Sequence, residues 1–395
     1  MNREEKINLS ALIVLVGFCI SVFYHYTIKI YFGLTYPFNT FLFRPAARFS
    51  DFTDLYNLAL DPNGIWGFPM SKVTLYPFTL LPVKLGLIVF LLSFLSFFIY
   101  CCISKIVTKS KIESWRNIFI FTCLSYPCLF AIDRANNEMI IFVLLYLFVF
   151  FYNKIPMIST VLLSIAISMK VFPAVFSVLL FSERKWKSLI ILIIISLFLI
   201  ITCLWLQGTG VNGFIKGASK LSNYNKIYVY GNEGLFFGNS IYGALKYFYI
   251  QFISASNLLD FNNFVAKPYL WGVLILFSGV AYYIIKIETV FWKKVALLVF
   301  CFNMFPYVSA DYKLLQVFIP FFCFVNYNFQ ERFDYIYTIL FSSLFIPKAY
   351  YHLPAYPEAS ISIVLNPLIM LLFSMLIIIS GIKSRKKCGR HPSEG

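Results

Sequence analysis

The chain has 395 residues, a length that would suit two or three soluble domains. Its composition excludes that reading: 60% of the residues are hydrophobic and 13% charged, with a mean hydropathy of +0.78, whereas a soluble domain carries about 25% charged residues. An aromatic content of 20% likewise excludes a disordered chain.

The net charge of +16 raises the question of nucleic acid. Its placement answers it, because the basic residues cluster between apolar runs, at Lys105 to Arg116, Arg184 to Lys187, Lys293 and Lys294, and Lys383 to Lys387. Those are the short basic loops of the cytoplasmic side of a membrane protein. No basic stripe alternates with exposed aromatics, so no nucleic-acid partner is expected. The nine cysteines form no CxxC pair, and His25, His352 and His391 stand far apart, so neither a metal nor a cofactor is expected. The composition predicts an all-α polytopic membrane protein of about 10–12 transmembrane helices joined by extracytoplasmic and cytoplasmic loops.

In chain order, a first apolar run from Leu9 to Ile28 is long enough to span and lacks a small-residue cleavage site, which predicts a retained anchor. A polar stretch at 29–75 follows, with Arg44, Arg48, Asp51, Asp54 and Asp61. Apolar segments then fall at 76–103, 117–131, 139–152, 157–169, 171–182, 188–207, 269–286, 295–308, 313–327, 335–347 and 362–382. The pair at 157–182 is read as broken rather than continuous because Lys170 and Pro173 interrupt it. That reading puts the basic loops and both termini on the cytoplasmic side. The whole of 1–395 is then one integral membrane domain, with a first extracytoplasmic loop at 29–75, a large one at 208–268 and a basic cytoplasmic tail at 383–395.

In so apolar a chain the informative residues are the ionisable ones beside or inside spans, which are costly unless they face a bundle interior. Four places qualify. Asp51 and Asp54 are three apart and share a helix face; a carboxylate there suits a general base for a hydroxyl, with Arg44 and Arg48 upstream to pair with it or with a phosphate. Asp133, Arg134, Asn136, Asn137 and Glu138 crowd between two apolar runs, as a salt-bridged turn or as a cluster for a sugar or phosphate. Lys170 inside an apolar stretch needs an anion, either Asp133 or Glu138 in the fold or a lipid phosphate. Asp311, Tyr312 and Lys313 lie between two late spans, where the acid and the lysine either pair or form part of a site.

The order of these elements resembles the GT-C fold glycosyltransferases that use polyprenyl-phosphate sugars, and most of all glycosyltransferase family 87. Ser50-Asp51-Phe52 with Leu55-Tyr56, then Leu75-Tyr76-Pro77-Phe78, is similar to that family's Asp-Phe loop and Tyr-Pro-Pro element, with Phe78 where a second proline is usual. Arg134-Ala135-Asn136-Asn137 resembles its Arg-Gly-Asn/Gln-Asn segment, with Ala135 in place of glycine. Ser168-Met169-Lys170-Val171-Phe172-Pro173 followed by Arg184-Lys185-Trp186 resembles its Lys-x-x-Pro segment and basic loop. Gly238-Asn239-Ser240 and Asp311-Tyr312 resemble an Asn-Ser element and a late acidic-aromatic pair.

The resemblance implies inverting transfer of a hexose, mannose first, without metal or cofactor. The donor would be a polyprenyl-phosphate sugar and the acceptor a lipid or glycan. The reaction would take place at the extracytoplasmic face of a bacterial plasma membrane. Asp51, then Asp54, would be catalytic; Lys170, Arg134, Asn136, Asn137, Glu138, Tyr76, Asn239, Ser240, Asp311, Tyr312 and Lys313 would bind donor phosphate and sugar. A flippase for a lipid-linked sugar, or an O-antigen-type polymerase or ligase, is the competing expectation. A transporter would need its charges near the midplane of paired broken helices.

Overall fold

The computed structural model describes residues 1–32, 48–60, 69–206, 210–231, 235, 238–253, 258–348 and 361–388. Arg44 and Asp61, together with most of the polar stretch around them, lie outside the described residues. Among the described residues every regular element is a helix. They run α1 Arg3–Phe32, α2 Ser50–Leu60, α3 Pro69–Thr79, α4 Val83–Ile106, α5 Lys111–Phe119 and α6 Tyr126–Arg134. Then come α7 Glu138–Phe151, α8 Pro156–Met169, α9 Ser177–Ser182, α10 Trp186–Leu206, α11 Gly210–Tyr224 and α12 Ile241–Phe252. The chain closes with α13 Leu258–Phe261, α14 Lys267–Lys286, α15 Phe291–Met304, α16 Phe318–Val325, α17 Asp334–Phe345 and α18 Ser362–Cys388.

Five described helical segments are long and apolar enough to cross a membrane: Arg3–Thr27, Val83–Ile106, Trp186–Leu206, Asn262–Lys286 and Ser362–Lys383. A sixth crossing is made if α5 and α6, bent by 47° at Ser125, count as one span. The apolar segment expected at 76–103 is two helices, because Pro82 cannot donate within a helix and Gly86 brings α4 close against the Phe78 carbonyl. The hydroxyl of Tyr56 closes that corner by donating to the Leu81 carbonyl at 2.7 Å. The expected break at 157–182 is present. Helix α8 ends where Lys170 turns extended (φ −154°, ψ 141°), and a 3-10 turn, Phe172–Phe176, carries Pro173 into α9. Helix α7, helix α8 and Phe172–Ser182 are apolar but too short to span in the straightforward sense.

Local sequence explains several of the starts. Glu4 and Glu5 open α1, where the helix dipole favours acids. Ser110-Lys-Ile-Glu113 is a capping-box sequence, and Ser110 Oγ accepts from the Glu113 N–H to begin α5. The interior is largely aromatic. Phe98, Phe121, Phe142, Phe318, Phe321 and Phe345 are all buried, and Phe318 stacks on Phe345 with centroids 4.1 Å apart.

The packing that matters for function joins α6 to the 3-10 turn Asp311–Val317, α2 to α3, and α8 to α7 and α10. Together these bring the four polar places of the sequence to the same end of the bundle. The beginning of α18 seals the neighbouring corner, where a Cβ on Gly238 would fall 2.4 Å from the Ile363 Cα and backbone nitrogen. Backbone cannot yield as a side-chain tip can. Gly238→Ala is therefore expected to lower stability by about 1–3 kcal/mol, read as a drop in melting temperature in nanodiscs. Gly272→Ala, where a Cβ meets open space, is the matched control and should leave it unchanged or slightly raised.

Candidate functional site

Two ion pairs cross between the start of α2 with the residues just before it and the end of α6. Arg48 Nε lies 3.3 Å from Asp133 Oδ1, while Arg134 pairs with Asp51 Oδ1. The Phe49 N–H donates to the Asp133 carbonyl at 2.8 Å, so backbone as well as side chains dock the loop. Asn136 serves both sides. Its Nδ2 donates to Asp51 Oδ2 at 2.6 Å, and its Oδ1 accepts from the Glu138 N–H at 2.9 Å, capping the start of α7. Each Asp51 oxygen thus has a fixed partner, which sets the direction of the carboxylate's remaining lone pairs.

This docking needs unusual backbone. Phe49 (φ 59°) and Ala135 (φ 48°) are both left-handed, a conformation costly for residues with a Cβ. Ala135 is the C-cap of α6, its N–H bonded to the Ala131 and Ile132 carbonyls, which is a position that favours glycine. Strain of this kind persists only where the surroundings over-determine it, and it concentrates at sites.

Lys170 Nζ lies 2.7 Å from Glu138 Oε1, with Glu138 fully buried and Lys170 16% exposed. Of the two anions within the fold considered for Lys170, Glu138 is its partner. The amide of Gln316 sits at the outer limit of hydrogen bonding to the other Glu138 oxygen, at 3.5 Å. Lys313 is buried, with its ammonium over the rings of Phe172 and Phe302 at 4.4 and 5.4 Å, in electrostatic reach of Glu138 and Lys170. Lys170 is paired directly with that carboxylate, whereas Lys313 feels it only at longer range. Tyr312 joins the two halves of the cluster: Lys170 lies 5.6 Å from its ring centre, and Asp51, Arg134 and Glu138 are all in electrostatic reach of it. Phe130 stacks on its ring at 6.3 Å.

Asp311 does not pair with Lys313. It accepts from the Tyr126 hydroxyl and, at 3.2 Å, from the Gly238 N–H. Burial pushes its carboxyl up, with the Tyr126 bond and the charge of Lys348 acting the other way. Asn239 and Ser240 hold this corner together: Asn239 Nδ2 donates to the Ala310 carbonyl at 3.0 Å and its Oδ1 accepts from Asn366 at 2.8 Å. Ser240 Oγ donates to the Tyr307 carbonyl at 3.0 Å and caps α12 through the Gly243 N–H at 2.9 Å. Asn137 bonds Ser71 Oγ at 3.1 Å, and Ser71 bonds the Met169 carbonyl just before Lys170. Asp54 and Tyr76 stand exposed on α2 and α3. Among the described residues no group of three or more His, Cys, Asp or Glu side chains comes together as a metal site would require.

An acid fixed by an arginine and an amide, with a tyrosine and two lysines gathered near it, is an arrangement suited to moving a group from a phosphate to a hydroxyl. The comparison with known families agrees: the model of glycosyltransferase family 87 matches residues 69–304, more than half of the chain. The chain belongs to glycosyltransferase family 87. No curated protein and no solved structure matches it. As a family member it is a membrane glycosyltransferase.

The structure thus gathers Asp51, Arg134, Asn136, Glu138, Lys170, Tyr312 and Lys313. It gives Asn137, Asn239, Ser240 and Asp311 bonds to surrounding protein, and leaves Asp54 and Tyr76 exposed. Sequence reasoning passed over Tyr126 and Gln316. Gln316 carried a signal, an amide within an apolar run; Tyr126 carried none, since a tyrosine in an apolar segment is ordinary.

The Lys170–Glu138 pair makes a double substitution informative. Lys170→Met alone leaves Glu138 buried without its near partner, a change that costs about 3 kcal/mol or more for a buried pair. Lys170→Met with Glu138→Gln removes both charges and is expected to recover most of the lost melting temperature. Transfer activity is expected to stay absent in both, since the cation is missing in each. Recovery of activity with stability would make Lys170 a purely structural partner.

Proposed function

We propose that this glycosyltransferase moves a hexose from a polyprenyl-phosphate sugar to a hydroxyl of a lipid or glycan acceptor, with inversion, at the extracytoplasmic face of a bacterial plasma membrane. Mannose is the first donor sugar to test. The observation that carries the reading is the gathering of Asp51, held by Arg134, and of Lys170, paired with Glu138, around Tyr312, with Lys313 next to it in the chain.

In this mechanism the acceptor oxygen attacks the sugar's anomeric carbon from the face opposite the phosphate. The bond from that carbon to the phosphate oxygen breaks, and its electron pair leaves with the polyprenyl phosphate. The hydroxyl proton passes to Asp51, whose orientation Arg134 and Asn136 hold. Lys170 and Lys313 stabilise the charge that builds on the departing phosphate; fixed cations in a water-poor pocket do this without reorganising. Asn137, through Ser71, supports the backbone beside Lys170, and Asn239, Ser240 and Asp311 support the turn that carries Tyr312 and Lys313. Tyr76 and Asp54 line the exposed approach to the site. The prenyl chain stays in lipid while its head group enters.

Two tests follow. Asp51→Asn keeps size and accepts a hydrogen bond but loses proton affinity, so turnover is expected to fall by at least about 10²-fold, with donor binding retained. Asp54→Asn is expected to cost much less. The measurement is sugar transfer and donor binding on both variants in nanodiscs; near-normal transfer by Asp51→Asn would end its assignment as base. For sidedness, thiol labelling at Cys388 and at a cysteine introduced within 215–230 is expected to report opposite faces of the membrane. Same-face labelling would overturn the outer-face site.

A further inference from the structure

Helix α11 ends at Tyr224 and continues into a π-turn, Asn225–Val229. That turn is one of three π-turns among the described residues, with Ile120–Leu124 and Asn262–Ala266. Tyr224 and Tyr228 stack, with centroids 4.5 Å apart and planes inclined by 27°. Tyr224 is 43% exposed. Its phenol lies in electrostatic reach of both Asp51 and Tyr312.

The turn is pinned from α12. Lys246, 1% exposed, donates to the Val229 carbonyl at 3.0 Å and to the Gly231 carbonyl. The Tyr242 hydroxyl donates to the same Val229 carbonyl at 2.9 Å. A cation suits the carbonyl-rich end of a helix, and among the described residues this buried lysine bonds to the two backbone carbonyls. What that lysine holds in place is the short segment bearing the two stacked rings.

We propose that Tyr224 and Tyr228 form an acceptor subsite that packs against the C–H face of a pyranose, so that the acceptor carries a sugar rather than being a bare lipid alcohol. The inference rests on Asp51 as the base. The base must touch the attacking hydroxyl, so the ring beside the base meets the acceptor. The donor phosphate is assigned to Lys170, 5.6 Å from the Tyr312 ring centre. A fixed aromatic face in reach of a carboxylate fits a ligand with one apolar face and a ring of hydroxyls.

The test is binding in nanodiscs, with octyl mannopyranoside and octyl glucopyranoside below their micellar concentrations as probes and 1-octanol as the bare alcohol. The wild-type protein is expected to bind at least one pyranoside about tenfold or more tightly than octanol. Tyr224→Ala and Tyr224→Leu, the second keeping apolar bulk without a ring, should both abolish that preference, and Lys246→Met should weaken it. Melting temperatures report whether each variant is folded. Equal affinity for pyranosides and octanol in the wild type overturns the subsite. So does a preference that survives in whichever Tyr224 variants fold. Asp51→Asn keeps the two readings apart, because it should retain pyranoside binding while losing transfer. Full transfer by Asp51→Asn alongside lost pyranoside binding in the Tyr224 variants would remove the base assignment and leave the subsite.

Discussion

The crossed ion pairs between Arg48–Asp51 and Asp133–Arg134 are the constraint on which the rest of the site depends. Each segment contributes one arginine and one carboxylate, and each arginine reaches across to the other segment's acid. Exposed pairs of this kind contribute little, but Asp133 is 6% exposed and Arg134 and Asp51 about 15%. Pairing both acids also avoids leaving a charge alone at the edge of a low-dielectric bundle. The geometry that results is specific. It fixes which way α2 leaves the loop, and so where Asp51 points and which face of α2 (Phe52, Leu55, Tyr56 and Ala59) is buried.

That same docking explains why two residues with side chains sit in a left-handed conformation within one hydrogen-bonded junction. Phe49 must turn to present its N–H to Asp133, and Ala135 must turn to end α6 and release Asn136 toward Asp51. Left-handed backbone at such residues costs on the order of 1–3 kcal/mol each. Helix capping by Asn136, the two ion pairs and burial of Ala135 offset it. Alanine thus holds at this turn a left-handed conformation that a glycine would adopt at lower cost.

Much of this was legible in the sequence, for physical reasons that differ by residue. Charges in a chain this apolar are too costly to be incidental, so Asp51, Arg134, Glu138, Lys170 and Lys313 were visible one at a time. The break at Lys170 was visible because Pro173 removes a donor. Pairing was not visible, since Arg48 to Asp133 and Asp51 to Arg134 are contacts between distant segments that periodicity does not encode. Nor was the division of labour. Asp51 and Asp54 look alike three residues apart, yet one is held by two partners and the other is exposed. Asn239 and Ser240 read as ligand contacts by motif, and the structure finds each of them already bonded to protein. Helix boundaries failed at 76–103 because hydropathy averages over Leu80, Leu81 and Pro82, where the chain turns.

The two halves of the cluster differ in charge, and the difference matches the work assigned to them. Asp51 with Arg134 is neutral as a pair, whereas Glu138 with Lys170 and Lys313 carries one surplus positive charge when all three are ionised. Under the proposed assignment a bound sugar phosphodiester, with one negative charge, neutralises that surplus. As transfer proceeds, the proton taken by Asp51 removes negative charge from beside Arg134, and the departing phosphate monoester gains it beside the two lysines. Under that assignment one negative charge moves from beside one cation to beside two. In a pocket where the effective dielectric is low, that asymmetry favours the departing phosphate over the bound diester, which is the differential stabilisation that catalysis requires. Glu138 limits the same effect: without its charge, two unpaired ammonium groups would hold the product as well as the transition state, and release would slow.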